Sequence, residues 1–261
     1  MKKILIDKIP IALPSEIEVL CRGARIFDSS CSPEAKVYFI DKDEGYFLKC
    51  AVAGSLLRER IMTEYFHKKG LGAEVLDYQT GECDLLLTSR VVGEDCTHEK
   101  YTSEPKRLCD LLAERLRFLH EQDFSDCPIK DRVGEYIARA EKNYIDDNYN
   151  KEHFPDSFGY SSGEAAIRAL TEGKHLLKNE VLLHGDYCMP NIMLDDWHFS
   201  GFIDVDSAGV GDRHIDLFWG VWSLEFNLGT SKFASRFLDA YGRDKVDTDL
   251  LKIVAAAEVL G

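Results

Sequence analysis

The stretch from Val181 to Asp204 constrains this chain most. The apolar run Val181-Leu182-Leu183 ends in His184-Gly185-Asp186, and a turn containing Pro190 follows. Two short apolar runs, Ile192 to Leu194 and Gly201 to Ile203, then bracket a polar loop before Asp204. This pattern reads as a strand, a loop and a β-hairpin. If the two short runs pair antiparallel across a turn at 195–200, the start of one lies beside the end of the other, and Asn191 and Asp204 become neighbours. Gly185 and Pro190 keep the backbone around Asp186 out of a helix. Two carboxylates and one amide oxygen are therefore expected to converge. All three are hard oxygen donors, which suit magnesium and a hydroxyl nucleophile rather than zinc.

Upstream, Val37 to Ile40 and Tyr46 to Ala51 flank Asp41-Lys42-Asp43-Glu44-Gly45, a hairpin signal. The small, polar turn Asp28-Ser29-Ser30-Cys31-Ser32-Pro33 precedes it, and its serines and amides are able to cap a phosphate. Lys49 interrupts an apolar run, so it points either into a site or out of an edge strand. Leu56, Leu57, Ile61, Tyr65 and Phe66 recur at helical spacing and put Glu59 early in a helix. A strand lysine paired with an early-helix glutamate holds nucleotide phosphates in kinase folds. Val75 to Tyr78 and Asp84 to Ser89 read as further strands. Residues 88–93 then form a hinge whose backbone is able to bond an adenine.

From Lys106 onward the periodicity is helical, with stretches over Val133 to Tyr144, Gly163 to Leu176 and Leu250 to Leu260. Strands first and helices later give an α+β layout. It divides into an N-terminal lobe at 1–92 and a C-terminal lobe at 94–261. The net charge of −14 argues against a nucleic-acid partner, which rewards clustered Lys and Arg, and favours a cationic one. No apolar run reaches membrane-spanning length, and the 8 cysteines show no C-x-x-C pairing. They read as buried thiols of a reducing cytoplasm, where the protein is placed.

Taken in order, Lys49, Glu59, His184-Gly185-Asp186 with Asn191, and Ile203-Asp204 resemble the aminoglycoside phosphotransferase family, most closely its 3'-phosphotransferases. Ser32-Pro33, Phe118-Leu119-His120, Asp126-Cys127-Pro128 and Gly211-Asp212-Arg213 with Asp216 extend the likeness over nearly the whole chain. The resemblance implies a protein-kinase-like two-lobed fold, with a small β-rich N-terminal lobe and a larger, mainly helical C-terminal lobe. It also implies transfer of phosphate from ATP, with GTP as the alternative donor, to the 3'-hydroxyl of a cationic aminoglycoside.

By the same resemblance Asp186 is the base, Asn191 and Asp204 are Mg2+ ligands, and Lys49 with its partner Glu59 holds the α- and β-phosphates. Ser32 belongs to the loop closing over them, and His184 braces the catalytic loop. Asp147, Glu152 and Glu258 are the expected partners of the drug's ammonium groups, and a monomer or weak dimer is expected. Ser207, Trp222, Phe226-Asn227 and the final Ala257-Glu258-Val259-Leu260-Gly261 depart from the 3'-enzyme pattern. A kinase for another antibiotic or a small metabolic alcohol or amino sugar is the second reading, and a nucleotide-binding regulatory protein the third.

Overall fold

The computed structural model describes residues 3–150 and 159–261. The chain forms two compact units. One comprises Met1–Cys96 and Pro190–Asp206, the other Thr97–Met189 and Ser207–Gly261.

The first unit begins with β1 (Ile4–Ile6), α1 (Ser15–Cys21) and β2 (Arg25–Asp28). It continues with β3 (Ala35–Asp41), β4 (Tyr46–Val52), α2 (Leu57–Lys68), β5 (Val75–Thr80), β6 (Cys83–Ser89) and β7 (Glu94–Asp95). Among the described residues six strands form an antiparallel sheet in the order β1-β2-β3-β4-β6-β5. Side chains alternate across a pleated strand, so each strand serves two faces. Tyr38, Leu48, Leu85 and Leu87 join Ile9, Ile17 and Ile26 in one buried cluster. Their neighbours in sequence, Val37, Phe47, Lys49 and Leu86, line a cavity instead. The first two strands and α1 carry too little periodic signal to be read from sequence.

In the second unit come α3 (Glu99–Thr102), α4 (Pro105–His120), α5 (Arg132–Ile145), α6 (Gly163–Gly173) and β8 (Val181–Leu183). The chain then returns to the first unit as β9 (Ile192–Asp195) and β10 (His198–Phe202). It completes the second with β11 (Gly209–Gly211), α7 (Arg213–Leu228), α8 (Ala234–Gly242) and α9 (Thr248–Val259). Here Val181 and Leu183 of β8 pack into a buried cluster with Ala166 and Leu170 of α6 and Val254, Ala256 and Ala257 of α9. No helix among the described residues is long and apolar enough to cross a membrane. The eight cysteines are all free, and three of them, Cys96, Cys109 and Cys127, are buried.

Two features differ from the sequence-based expectation. The first unit extends to Cys96 and takes in Pro190–Asp206, rather than ending at 92, because β9 pairs with β7 (Glu94 opposite Leu194) and Phe202 N donates to Leu71 O. The hairpin is also tighter than a 195–200 turn. Asp195 pairs with His198, so the turn is Asp196-Trp197, both at positive φ. That is the backbone twist a two-residue hairpin loop requires. The spare residue is absorbed as a register shift between Phe199 and Gly201.

Candidate active site

The first unit builds its site from the cavity face of the sheet, α2 and the β9–β10 hairpin. Lys49 lies on β4, which runs between β3 and β6 and is therefore a central strand. Its partners are both carboxylates: Glu59 Oε2 at 2.8 Å and Asp204 Oδ1 at 2.6 Å. Burial works to lower the Lys49 ammonium, but Asp204 and Glu59 together hold it above the ordinary lysine value. Burial likewise pushes the Glu59 carboxyl up to about 7 against the opposing pull of Lys49.

Glu59 sits in the first turn of α2, and Asp84 anchors the start of that helix. Fully buried on β6, Asp84 accepts hydrogen bonds from Leu56 N at 2.9 Å and Tyr78 Oη at 3.0 Å. Burial opposes its ionisation, yet the Gly54 and Leu56 amides and the Thr80 and Tyr78 hydroxyls keep it below the usual carboxylate range. Nothing in its sequence setting distinguishes Asp84 from a surface strand residue. Its role comes from a helix end that only the fold brings to it.

Asn191 and Asp204 meet at the open end of the hairpin, where Ile203 N donates to Asn191 O at 3.0 Å. Asp204 adopts φ 57, a left-handed conformation that is costly for a residue with a Cβ. Asn191 is buried and Asp204 exposed. Both line the cavity, which has a volume of about 270 Å³ and also includes Ser32, Lys49 and Glu59. Its other walls, among them Ala35, Val37, Leu86, Val91 and Phe202, are apolar. The buried hydroxyl of Ser29 faces it with no hydrogen-bond partner among the described residues. A largely apolar cavity that also carries a cation, two acids, an amide and a spare hydroxyl suits a ligand with both an apolar ring and anionic oxygens. An amide and a carboxylate side by side suit Mg2+, which takes few protein ligands and fills its remaining positions with phosphate and water oxygens. The Lys49 ammonium beside Asp204 marks the place where a cation is already accepted.

In the second unit Asp186 follows β8 in a loop whose backbone is held from below. Asp216 on α7, completely buried, accepts from His184 N at 2.8 Å and Gly185 N at 2.7 Å. His120 Nε2 lies 3.2 Å from the same carboxylate, and its Nδ1 lies 2.8 Å from Tyr241 Oη. Burial keeps His120 below its ordinary pKa, so the ring is neutral. A neutral ring donates through Nε2 and accepts the Tyr241 hydroxyl proton through Nδ1. His184 Nδ1 accepts from Asp186 N at 3.3 Å, which is the bracing expected of it. Gly185 has φ +85, and a Cβ there would lie 2.0 Å from Ser207 O.

Two further side chains approach Asp186. Burial raises the Cys188 thiol, and a hydrogen bond to the Asp186 carboxylate adds to the effect. Glu258 Oε1 accepts from Tyr136 Oη at 2.6 Å and Trp219 Nε1 at 3.0 Å. Burial raises its pKa, with the Asp186 charge contributing. Tyr136, Trp219 and Cys188 carry no sequence signal for this site, since an aromatic on a helical stripe reads as core. Asp147 is exposed just after α5, at φ 54. Glu152 lies outside the described residues.

Comparison with known proteins places these features in a family. Residues 26–251 match the phosphotransferase enzyme family model named APH. A Lactococcus lactis protein named "Probable aminoglycoside 3'-phosphotransferase" is 51% identical over 99% of this chain and 97% of its own length. Among solved structures, an aminoglycoside-3'-phosphotransferase of type VIII superposes with a TM-score of 0.79 at 23% identity, covering 92% of this chain and 94% of that one. The aminoglycoside phosphotransferase APH(3'')-Id of Streptomyces rimosus, solved with ADP and streptomycin, superposes with a TM-score of 0.73 at 23% identity over 86% and 90% of the two chains. With a family match spanning most of its length and a half-identical relative, the chain belongs to the APH phosphotransferase enzyme family and has its kinase-like fold.

Proposed function

We propose that this chain phosphorylates an aminoglycoside antibiotic at its 3'-hydroxyl, using ATP and conferring resistance. The observation that carries the reading is Lys49 held between Glu59 and Asp204 in a largely apolar cavity. The half-identical relative bears the same activity in its name, and the S. rimosus relative was solved with ADP and streptomycin.

In this reading the adenine of ATP, or the guanine of GTP, occupies the apolar slot beside Thr88 to Val92. Lys49 grips the α- and β-phosphates while Glu59 keeps it aimed, and the loop bearing Ser32 closes over them. Asn191 and Asp204 hold Mg2+, which neutralises charge on the phosphate oxygens when bound. Asp186 orients the substrate hydroxyl and accepts its proton as the oxygen attacks the γ-phosphorus and the bond to the β-phosphate oxygen breaks. Asp216 fixes the backbone that aims Asp186. The protein forms no covalent bond, so rate comes from positioning and electrostatics. Glu258, Asp147 and Glu152 supply negative charge for the drug's ammonium groups. The enzyme acts in the cytoplasm as a monomer or weak dimer.

The test is Asp186→Ala. ADP release with kanamycin or neomycin should vanish while nucleotide binding persists, and phosphorus NMR of the wild-type product should locate the phosphate on the 3'-oxygen. Near-wild-type turnover in the variant would sink the role of Asp186. Turnover of another small alcohol, with none for either drug, would transfer the assignment to that substrate class.

A further inference from the structure

One face of α7 carries aromatic side chains that the phosphoryl-transfer chemistry does not use. Trp219, Trp222 and Phe226 are spaced three and four apart, so they form a single stripe. The rings of Trp222 and Phe226 stack with centroids 5.0 Å apart and planes 10° from parallel. Trp222 meets Trp219 edge to face at 5.4 Å. Trp219 in turn donates its indole N–H to Glu258, whose carboxylate lies within electrostatic reach of Asp186. The stripe therefore begins in solvent, at a Phe226 that is 70% exposed, and ends at Glu258.

An exposed aromatic is common on protein surfaces and needs no explanation by itself. A stacked pair leading to a tethered carboxylate is a different object. Parallel rings present a π-face with negative potential, and the Glu258 carboxylate at the Trp219 end of the stripe adds to that sign. Such a surface repels anions and attracts a cation that also has an apolar face. A sugar ring bearing ammonium groups has both: its C–H face lies flat on an aromatic ring, and its ammonium groups reach the ring edge and the acid.

We infer that Trp219, Trp222 and Phe226 form an aromatic shelf that binds a cationic amino sugar by stacking and cation–π contact, delivering it to Glu258 and Asp186. This rests on the aminoglycoside reading above and specifies it. Selection here would come from aromatic faces as well as from acids, favouring amino sugars whose rings expose an unsubstituted C–H face.

The experiment uses the full chain and neomycin as the probe. Neomycin binding is measured by calorimetry without nucleotide, and turnover is measured separately by ADP release, for wild type, Phe226→Ala, Phe226→Lys and Trp222→Ala. Each alanine variant should weaken neomycin roughly 3- to 30-fold, the range for a cation–π contact. Phe226→Lys should weaken it further by repulsion, with ATP affinity unmoved and the kinetic loss falling mainly on the KM for the drug. Phe226 is mostly exposed, so its variants fold without loss of core. Unchanged neomycin affinity in both Phe226 variants overturns the shelf. Wild type that binds neomycin through the shelf but never phosphorylates it overturns the proposed activity and leaves the shelf standing. Failure of wild type to bind neomycin overturns both.

Discussion

Lys49 Nζ stands 2.6 Å from Asp204 Oδ1, joining the central strand of the sheet to the end of the β9–β10 hairpin. The lysine thus bridges two carboxylates rather than one, since Glu59 lies 2.8 Å away on its other side. Its charge is what allows both acids to face one cavity.

Replacing Lys49 with Met should therefore damage binding and fold together. Breaking a buried ion pair by removing one partner costs about 3–5 kcal/mol, because Glu59 is left without a counter-charge. The kcat/KM for ATP should fall roughly 10²- to 10³-fold. Steady-state kinetics with varied ATP check this, and a kcat/KM within threefold of wild type would contradict it.

Glu59 should make stability depend on pH in a defined window. Its folded-state pKa, about 7, lies above the ordinary glutamate value, so the folded state holds this proton more tightly than the unfolded chain does. The resulting stabilisation is fully present below the unfolded pKa, about 4.3, and is lost as pH rises through 7. Glu59→Gln mimics the neutral form and removes the dependence. Between pH 5 and 8 wild type should lose up to about 3 kcal/mol relative to the variant, read from paired thermal melts. A flat difference across that window would refute the assignment.

The loop carrying Asp186 should prove sensitive to changes that never touch substrate. Asp216→Asn turns one oxygen into a donor facing either the His184 or the Gly185 amide, and should cost about 2 kcal/mol in urea unfolding with a drop in kcat of tenfold or more. Gly185→Ala forces a Cβ to within 2.0 Å of Ser207 O at φ +85. It should cost roughly 2 kcal/mol or more and silence transfer. An active, stable Gly185→Ala protein would show that the loop is not held as described.

Much of this protein was legible in its sequence because the decisive signals are local. The apolar run around Lys49 placed it on a strand, the helical spacing after Leu56 placed Glu59 in a first turn, and the two apolar runs around Asp196-Trp197 brought Asn191 to Asp204. Each depends on a period or a turn within a few residues. The exact hairpin turn was less legible, because the extra residue absorbed between Phe199 and Gly201 has no signature in the apolar pattern.

Other features required the tertiary structure, for a single physical reason: a buried polar group is defined by partners distant in sequence. Asp84 caps a helix 28 residues upstream, and Asp216 holds amides 32 and 31 residues before it. His120 meets Tyr241 121 residues later. Glu258 acquires its setting from Tyr136 and Trp219, and the same contact turns three spaced aromatics on α7 into a surface leading to an acid. By itself the sequence determined the family, since a lysine, a glutamate, an amide and two aspartates stand in the order by which the chain resembles its phosphotransferases. The tertiary structure decided how that chemistry is held in place and which surface lies beside it, because those depend on long-range packing that no local pattern encodes.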